Sequence, residues 1–258
     1  QQRGFVYKRA YPGIYIERIC ERMCPFLRKY RMELIMACLL LISFYFLSRQ
    51  AAAVSVWMNS EEVEKKENVI VLDPGHGGSD PGMIGIDGLE EKNINLSVTL
   101  LLKEKLEEKG YTVVLTRERD KGLYDDSAQN KKAQDLQRRI ALIDETAPAL
   151  TVSIHQNSYH DPAVKGPQVF YYETSPEGKE LAAVLQERLN VMLEVERPRE
   201  IKGNTSYYLL KRSKSILVIA ECGFLTNPEE AELLQTKEYQ EKVAAALAEG
   251  IHSYLQKQ

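Results

Sequence analysis

Apolar positions fall into three regimes along the chain. Leu34 to Leu47 (LIMACLLLISFYFL) is an unbroken, uncharged run of 14 residues. A charged stretch follows, with Glu61, Glu62, Glu64, Lys65, Lys66 and Glu67. From Asn68 onward, short β-branched runs alternate with longer amphipathic ones. Val69–Leu72, Tyr111–Thr116, Leu150–Ile154, Gln168–Tyr172 and Ile216–Ala220 read as strands, with Tyr207–Leu210 as an edge strand. Lys92–Lys109, Ala133–Thr146, Pro176–Glu194, Pro228–Leu234 and Tyr239–Leu255 read as helices, Gly110 capping the first. Arg117–Gln129 is polar and reads as a loop. Strands alternating with helices predict an α/β three-layer sandwich, a mostly parallel (mixed) twisted sheet flanked by helices. An N-terminal hydrophobic anchor helix is expected to precede it.

The early run has basic residues before it (Arg28, Lys29, Arg31) and Ala51–Ala53 after it. A spanning helix needs roughly 20 apolar residues, and runs of about 10–14 suit a signal-peptide core or a buried helix. Extension past Arg49 to Met58 gives a signal anchor; cleavage at the alanines gives a signal peptide. The basic side is expected to face the cytoplasm. The expected division is a basic cytoplasmic segment over 1–33, a signal anchor or signal peptide over 34–58, a charged linker over 59–67 and a catalytic domain over 68–258. The last is then extracytoplasmic, held at the membrane or secreted if the segment is cleaved.

Composition adds exclusions. With 44% hydrophobic and 28% charged residues, the chain is ordinary globular material and not disordered or multi-span. The net charge of -3 is unevenly spread: residues 1–50 hold nine Lys/Arg against three Glu, so the rest is acidic. An acidic body lacks the basic face that nucleic acid requires. Of the four cysteines, Cys20, Cys24 and Cys38 precede the body and only Cys222 lies within it, which excludes a disulfide-stapled fold there.

The chemistry-bearing residues cluster at predicted strand ends. His76 follows the first strand, His155 the third, and Glu221 the apolar Ile216–Ala220 strand; Glu91 opens the first helix of the body. In open parallel sheets the carboxyl ends of strands form the ligand crevice. Two imidazoles and a carboxylate, with a position left for water, form a known catalytic zinc set. Each histidine alone reads equally well as a satisfied polar residue at a strand end. Glycines around His76 permit tight backbone there, but neither phosphate-loop pattern is present.

Four blocks then carry a family resemblance: Asp73-Pro74-Gly75-His76-Gly77-Gly78, Leu89 to Leu96 (LEEKNINL), Ser153 to Asn157 (SIHQN) and Ala220 to Asn227 (AECGFLTN). In this order they resemble the signature blocks of zinc-dependent N-acetylmuramoyl-L-alanine amidases of the amidase-3 family, across Asn68 to Leu255. Lys132-Ala133, Asp135-Leu136 and Arg139 look most like the spore-cortex (germination-specific) members. The resemblance implies a peptidoglycan hydrolase that cleaves between N-acetylmuramic acid and L-alanine, in spore-cortex maturation or wall remodelling. It implies one zinc ion held by His76, Glu91 and His155, with Glu221 as the catalytic glutamate. It prefers Glu91 over Glu90, because the family's glutamate directly precedes the lysine, here Lys92. The implied location extends to the forespore intermembrane space, with a regulatory protein partner left open. Cys222 reads as a small buried residue and not as a nucleophile. Arg139 reads as half of a structural ion pair, Asp73 and Asn157 equally as orienting or turn-forming groups, and His160 and His252 as bystanders. Two other readings stay open: a zinc peptidase acting within the stem peptide, and a non-catalytic wall-binding protein.

Overall fold

A computed structural model describes residues 29–58 and 66–257 of the 258-residue chain. Backbone contacts divide the chain into two units, Gln1–Glu62 and Val63–Gln258. Cys20, Cys24 and most of the charged linker lie outside the described residues.

In the first unit, helix α1 covers Arg31–Met58. Met32, Ile35, Leu39, Leu40, Phe44 and Phe46 are exposed on it. Among the described residues, no helix is long and apolar enough to cross a membrane. The expected anchor is therefore not supported. The uncharged run Leu34–Leu47 by itself covers about 21 Å at 1.5 Å per residue, against a hydrocarbon core of about 30 Å.

The second unit is the expected α/β sandwich. Its elements are β1 (Lys66–Pro74), α2 (Glu91–Glu108), β2 (Thr112–Leu115), α3 (Lys131–Thr146), β3 (Pro148–Asn157), β4 (Gln168–Tyr172), α4 (Pro176–Met192), β5 (Lys202–Asn204), α5 (Tyr208–Arg212), β6 (Leu217–Phe224), α6 (Pro228–Leu233) and α7 (Lys237–Leu255). The sheet order is β2-β1-β3-β6-β4-β5. Strands β2, β1, β3 and β6 are mutually parallel; β4 pairs antiparallel with β6, and β5 runs parallel to β4.

Side-chain alternation along the strands builds two cores. Ile70 and Leu72 of β1, Leu150, Val152 and Ile154 of β3, and Val218, Ala220 and Cys222 of β6 join the larger core under α2, α4 and α7. Val71, Leu217 and Ile219 point to the smaller core, with Ile143 of α3 and Leu209 and Leu210 of α5. The same alternation puts Asp73, His155 and Glu221 on this second, more thinly covered face. Both core strands next to β3 are buried throughout their sheet-pairing centre, matching their continuous apolar runs.

Helix starts follow local chemistry. Asn130 and Ser175 accept backbone N–H hydrogen bonds from Ala133 and Gly178 as N-caps of α3 and α4. The one misread element is Tyr207–Leu210. Asn204 Oδ1 accepts from the backbone N–H of Ser206 and Tyr207, ending β5 and leading into helix α5. The edge strand is instead Lys202–Asn204, a polar segment that pairs with Phe170–Tyr172 through its backbone.

Candidate active site

The site lies where β1, β3 and β6 end and α2 begins. β3 and β6 place His155 opposite Glu221 in register. The turn after β1 brings in His76, whose backbone is left-handed with φ of 64°. Glu91, the first residue of α2, sits where the helix dipole favours a carboxylate.

Glu91 is the hub. Its Oε2 lies 3.1 Å from His76 Nε2, and its Oε1 lies 2.9 Å from His155 Nδ1. The two imidazole rings meet edge-on, with centroids 4.9 Å apart. One ligand atom from each of His76, Glu91 and His155 lies within 4.8 Å of the others. Burial disfavours the Glu91 anion, but hydrogen bonds from His155 and His76 outweigh it and hold this carboxyl far below the usual range. Burial likewise works against protonation of His76, and hydrogen bonds to Asp80 and Glu91 outweigh it, holding its pKa up at about 9.

Glu221 behaves differently. It is buried, and its Oε2 has no hydrogen-bond partner among the described residues. Burial, opposed by His155 and reinforced by Glu91, pushes its pKa up to about 7. A carboxyl poised near neutrality, with one oxygen free, can take and return a proton.

The backbone around these groups is shaped closely to them. A Cβ on Gly75 would overlap the ring of His155, and one on Gly82 would come within 2.5 Å of Glu91 Oε2 and 2.7 Å of His76 Cδ2. The donor set suits zinc: two imidazoles and one carboxylate, with no thiolate.

Behind the site, Arg139 donates to Asp73 Oδ1 at 2.5 Å, to the carbonyl of Pro74 at 3.0 Å and to that of His76 at 2.6 Å. Asp73 also accepts from Thr116 and Ser153, both at 2.6 Å. Arg139 and Asp73 thus form a buried structural pair, and Asp73 fixes the scaffold without reaching a histidine ring. Asn157 uses its side chain locally, accepting from the N–H of Ser158. His160 is exposed in its loop beside Tyr159, and His252, on α7, bonds to Tyr111 just before β2. Cys222 is fully buried in the larger core, and burial pushes its thiol far up.

The sequence reading missed three supports. Asn95 donates to Glu91 Oε1 and to the carbonyl of Gly75, both at 3.2 Å, and lies one turn after Glu91. The backbone N–H of Gln156 donates to Glu91 Oε1 at 3.1 Å, and its side chain bonds Asn95. Arg117, within the polar loop, is buried and donates to the carbonyls of Pro74, Gly75 and Lys92. Asn95 was visible as a same-face neighbour; the other two depend on tertiary approach.

The profile of the Amidase_3 family, described as N-acetylmuramoyl-L-alanine amidase, matches residues 70–253. The chain belongs to that family. This amidase therefore acts on peptidoglycan, and the peptidase and wall-binding readings fall away. It is 37% identical over 189 residues to the germination-specific N-acetylmuramoyl-L-alanine amidase of Bacillus subtilis (strain 168), covering 72% of this amidase and 79% of the relative. It is similar to the CwlD amidase from Clostridioides difficile, solved in complex with the GerS lipoprotein. That likeness has a TM-score of 0.72 and 39% identity, covering 74% of this amidase and all of the solved chain. The AmiC2 amidase of Nostoc punctiforme is also similar, with a TM-score of 0.64 and 32% identity over 74% of this amidase and 99% of that chain.

Proposed function

We propose that residues 68–258 form a zinc-dependent catalytic domain that cleaves the amide between N-acetylmuramic acid and L-alanine in spore-cortex peptidoglycan. The observation that carries this reading is the meeting of His76, Glu91 and His155 beside a buried, unpaired Glu221. His76, Glu91 and His155 would hold the metal. Zinc, when bound there, supplies a Lewis acid that polarises the scissile carbonyl and eases deprotonation of water near neutral pH.

Glu221 is the acid–base group. Its ionised form takes the proton of the attacking water, and its protonated form returns it to the departing L-alanine amine. It stands outside the His76, Glu91 and His155 cluster, and its Oε2 accepts no hydrogen bond among the described residues. Arg139 and Arg117 hold the backbone of the His76 turn so that the imidazole stays aimed at Glu91.

Germination-specific action is supported by the likeness to the Bacillus subtilis relative. The substrate places the work outside the cytoplasm. The complex of the Clostridioides difficile amidase with a lipoprotein supports a protein partner for this chain.

The test is digestion of purified spore-type and vegetative peptidoglycan, with mass spectrometry of the new ends. Free lactyl groups and free L-alanine amines, lost with a chelator and regained with zinc, are expected. Equal cleavage in the metal-free enzyme would refute the zinc role, and cleavage inside the stem peptide would refute the bond assignment.

A further inference from the structure

His76 is gripped on both sides of its ring. Nε2 faces Glu91, and Nδ1 lies 3.0 Å from Oδ2 of Asp80. An imidazole coordinates through a nitrogen that carries no proton, and the partner of the other nitrogen decides where the proton sits. A carboxylate only accepts hydrogen bonds. Placed at Nδ1, it keeps a proton there, so the nitrogen left to give up its proton to an ion is Nε2, which faces Glu91.

Asp80 is itself fixed in place. Its Oδ1 accepts from the backbone N–H of Gly82 at 3.1 Å. Its backbone forms a two-way bridge with Gly77, at 3.0 and 3.2 Å. The turn that carries His76 therefore folds back to supply its own orienting carboxylate four residues later.

The two histidines are steadied by different means. His155 turns Nδ1 toward Glu91, and among the described residues it has no other carboxylate partner. Its ring is positioned by contact with the bare α-carbon of Gly75. His76 lies against Gly82 in the same way, and it sits in a left-handed backbone that a non-glycine residue rarely adopts. Its aim needs a hydrogen-bonded partner, and Asp80 is that partner.

We propose that Asp80 is a positioning residue for the metal centre, holding His76 as the tautomer and in the orientation that presents Nε2 to the ion. The proposal rests on the reading of His76 as a ligand. Lys132 lies 3.5 Å from Asp80 Oδ2 but is 68% exposed along its side chain, so it serves as a control and not as part of the device.

The experiment uses the full chain. Zinc affinity is measured by competition with a chromophoric chelator for the wild type, Asp80→Ala, Asp80→Asn, Lys132→Ala and His155→Ala. Melting of the metal-free proteins is followed in parallel. Asp80→Ala is expected to bind zinc about 10–100-fold more weakly. Asp80→Asn, which keeps an acceptor oxygen without the charge, is expected to fall between Asp80→Ala and wild type. Lys132→Ala is expected to match the wild type. A second readout is the Nδ1-bound proton of His76 in nitrogen-15 histidine spectra, expected to be protected in wild type and lost in Asp80→Ala. Wild-type zinc affinity in Asp80→Ala, with affinity lost in His155→Ala, would overturn the proposal and leave the ligand set standing. Full affinity in His155→Ala would instead overturn the ligand reading, and the Nδ1 proton would then decide the role of Asp80 by itself.

Discussion

Replacing Arg139 with methionine removes the positive half of an ion pair buried from water: Arg139 is 1% exposed and Asp73 is 0% exposed. Methionine keeps much of the aliphatic volume but supplies no donor. Asp73 retains its hydrogen bonds from Thr116 and Ser153 and loses the guanidinium contact at 2.5 Å. The carbonyl of His76 loses its donor as well. Removing one partner of a buried pair costs about 3–5 kcal/mol, because the remaining charge is left uncompensated. For a body of this size, each kcal/mol lowers Tm by about 2–4 °C, so a fall of about 6–20 °C is expected. Guanidinium denaturation followed by circular dichroism, with matching m-values, measures the free energy. The double variant Asp73→Asn/Arg139→Met is expected to recover part of the loss, because the stranded charge is gone. A loss below about 1 kcal/mol in Arg139→Met would refute the claim that this pair anchors the His76 turn.

The same pair sets an acid limit. Burial raises the Asp73 pKa, but Arg139 and the hydrogen bonds from Ser153 and Thr116 outweigh it and hold it at about 2. A folded value below the unfolded one of about 3.9 means stabilisation that is complete above pH of about 4 and is lost as pH falls toward 2. Stability measured across that window is expected to drop in wild type and to drop less in Asp73→Asn. Glu221→Gln is expected to retain zinc and fold while kcat falls about 10²–10⁴-fold, checked by turnover and metal content together. Gly75→Ala pushes a methyl group into the His155 ring and is expected to lose zinc, read by the same metal assay. Cys222→Ala is expected to keep kcat, with a modest stability cost from the lost buried sulfur; a collapse in kcat with intact fold would restore a chemical role for the thiol.

The sandwich was legible because strand runs such as Ile216–Ala220 are apolar on both faces, and a parallel strand buried on both sides leaves that mark. The four chemical residues were legible because they sit directly at strand ends or at a helix start. What stayed hidden depends on approach in space. Asp80 carries no mark in the sequence, and only the folded turn brings it onto His76. Arg117 looked solvated in a polar loop, and its burial follows from three carbonyls that only the fold brings near. Tyr207–Leu210 misled because tyrosines and leucines suit strands, while an Asn side chain just upstream decided for a helix.

Glu91 has a kinetic consequence. Its two oxygens already accept from the N–H of Met83 at 2.8 Å, from Asn95 at 3.2 Å and from the N–H of Gln156 at 3.1 Å. On the proposed ligand reading, an arriving cation would replace the imidazole contacts while these donors remain. Loading would then be an exchange of partners within a cluster that is already assembled. Rapid mixing of metal-free protein with zinc is then expected to give one phase whose rate climbs in proportion to ion concentration and does not level off.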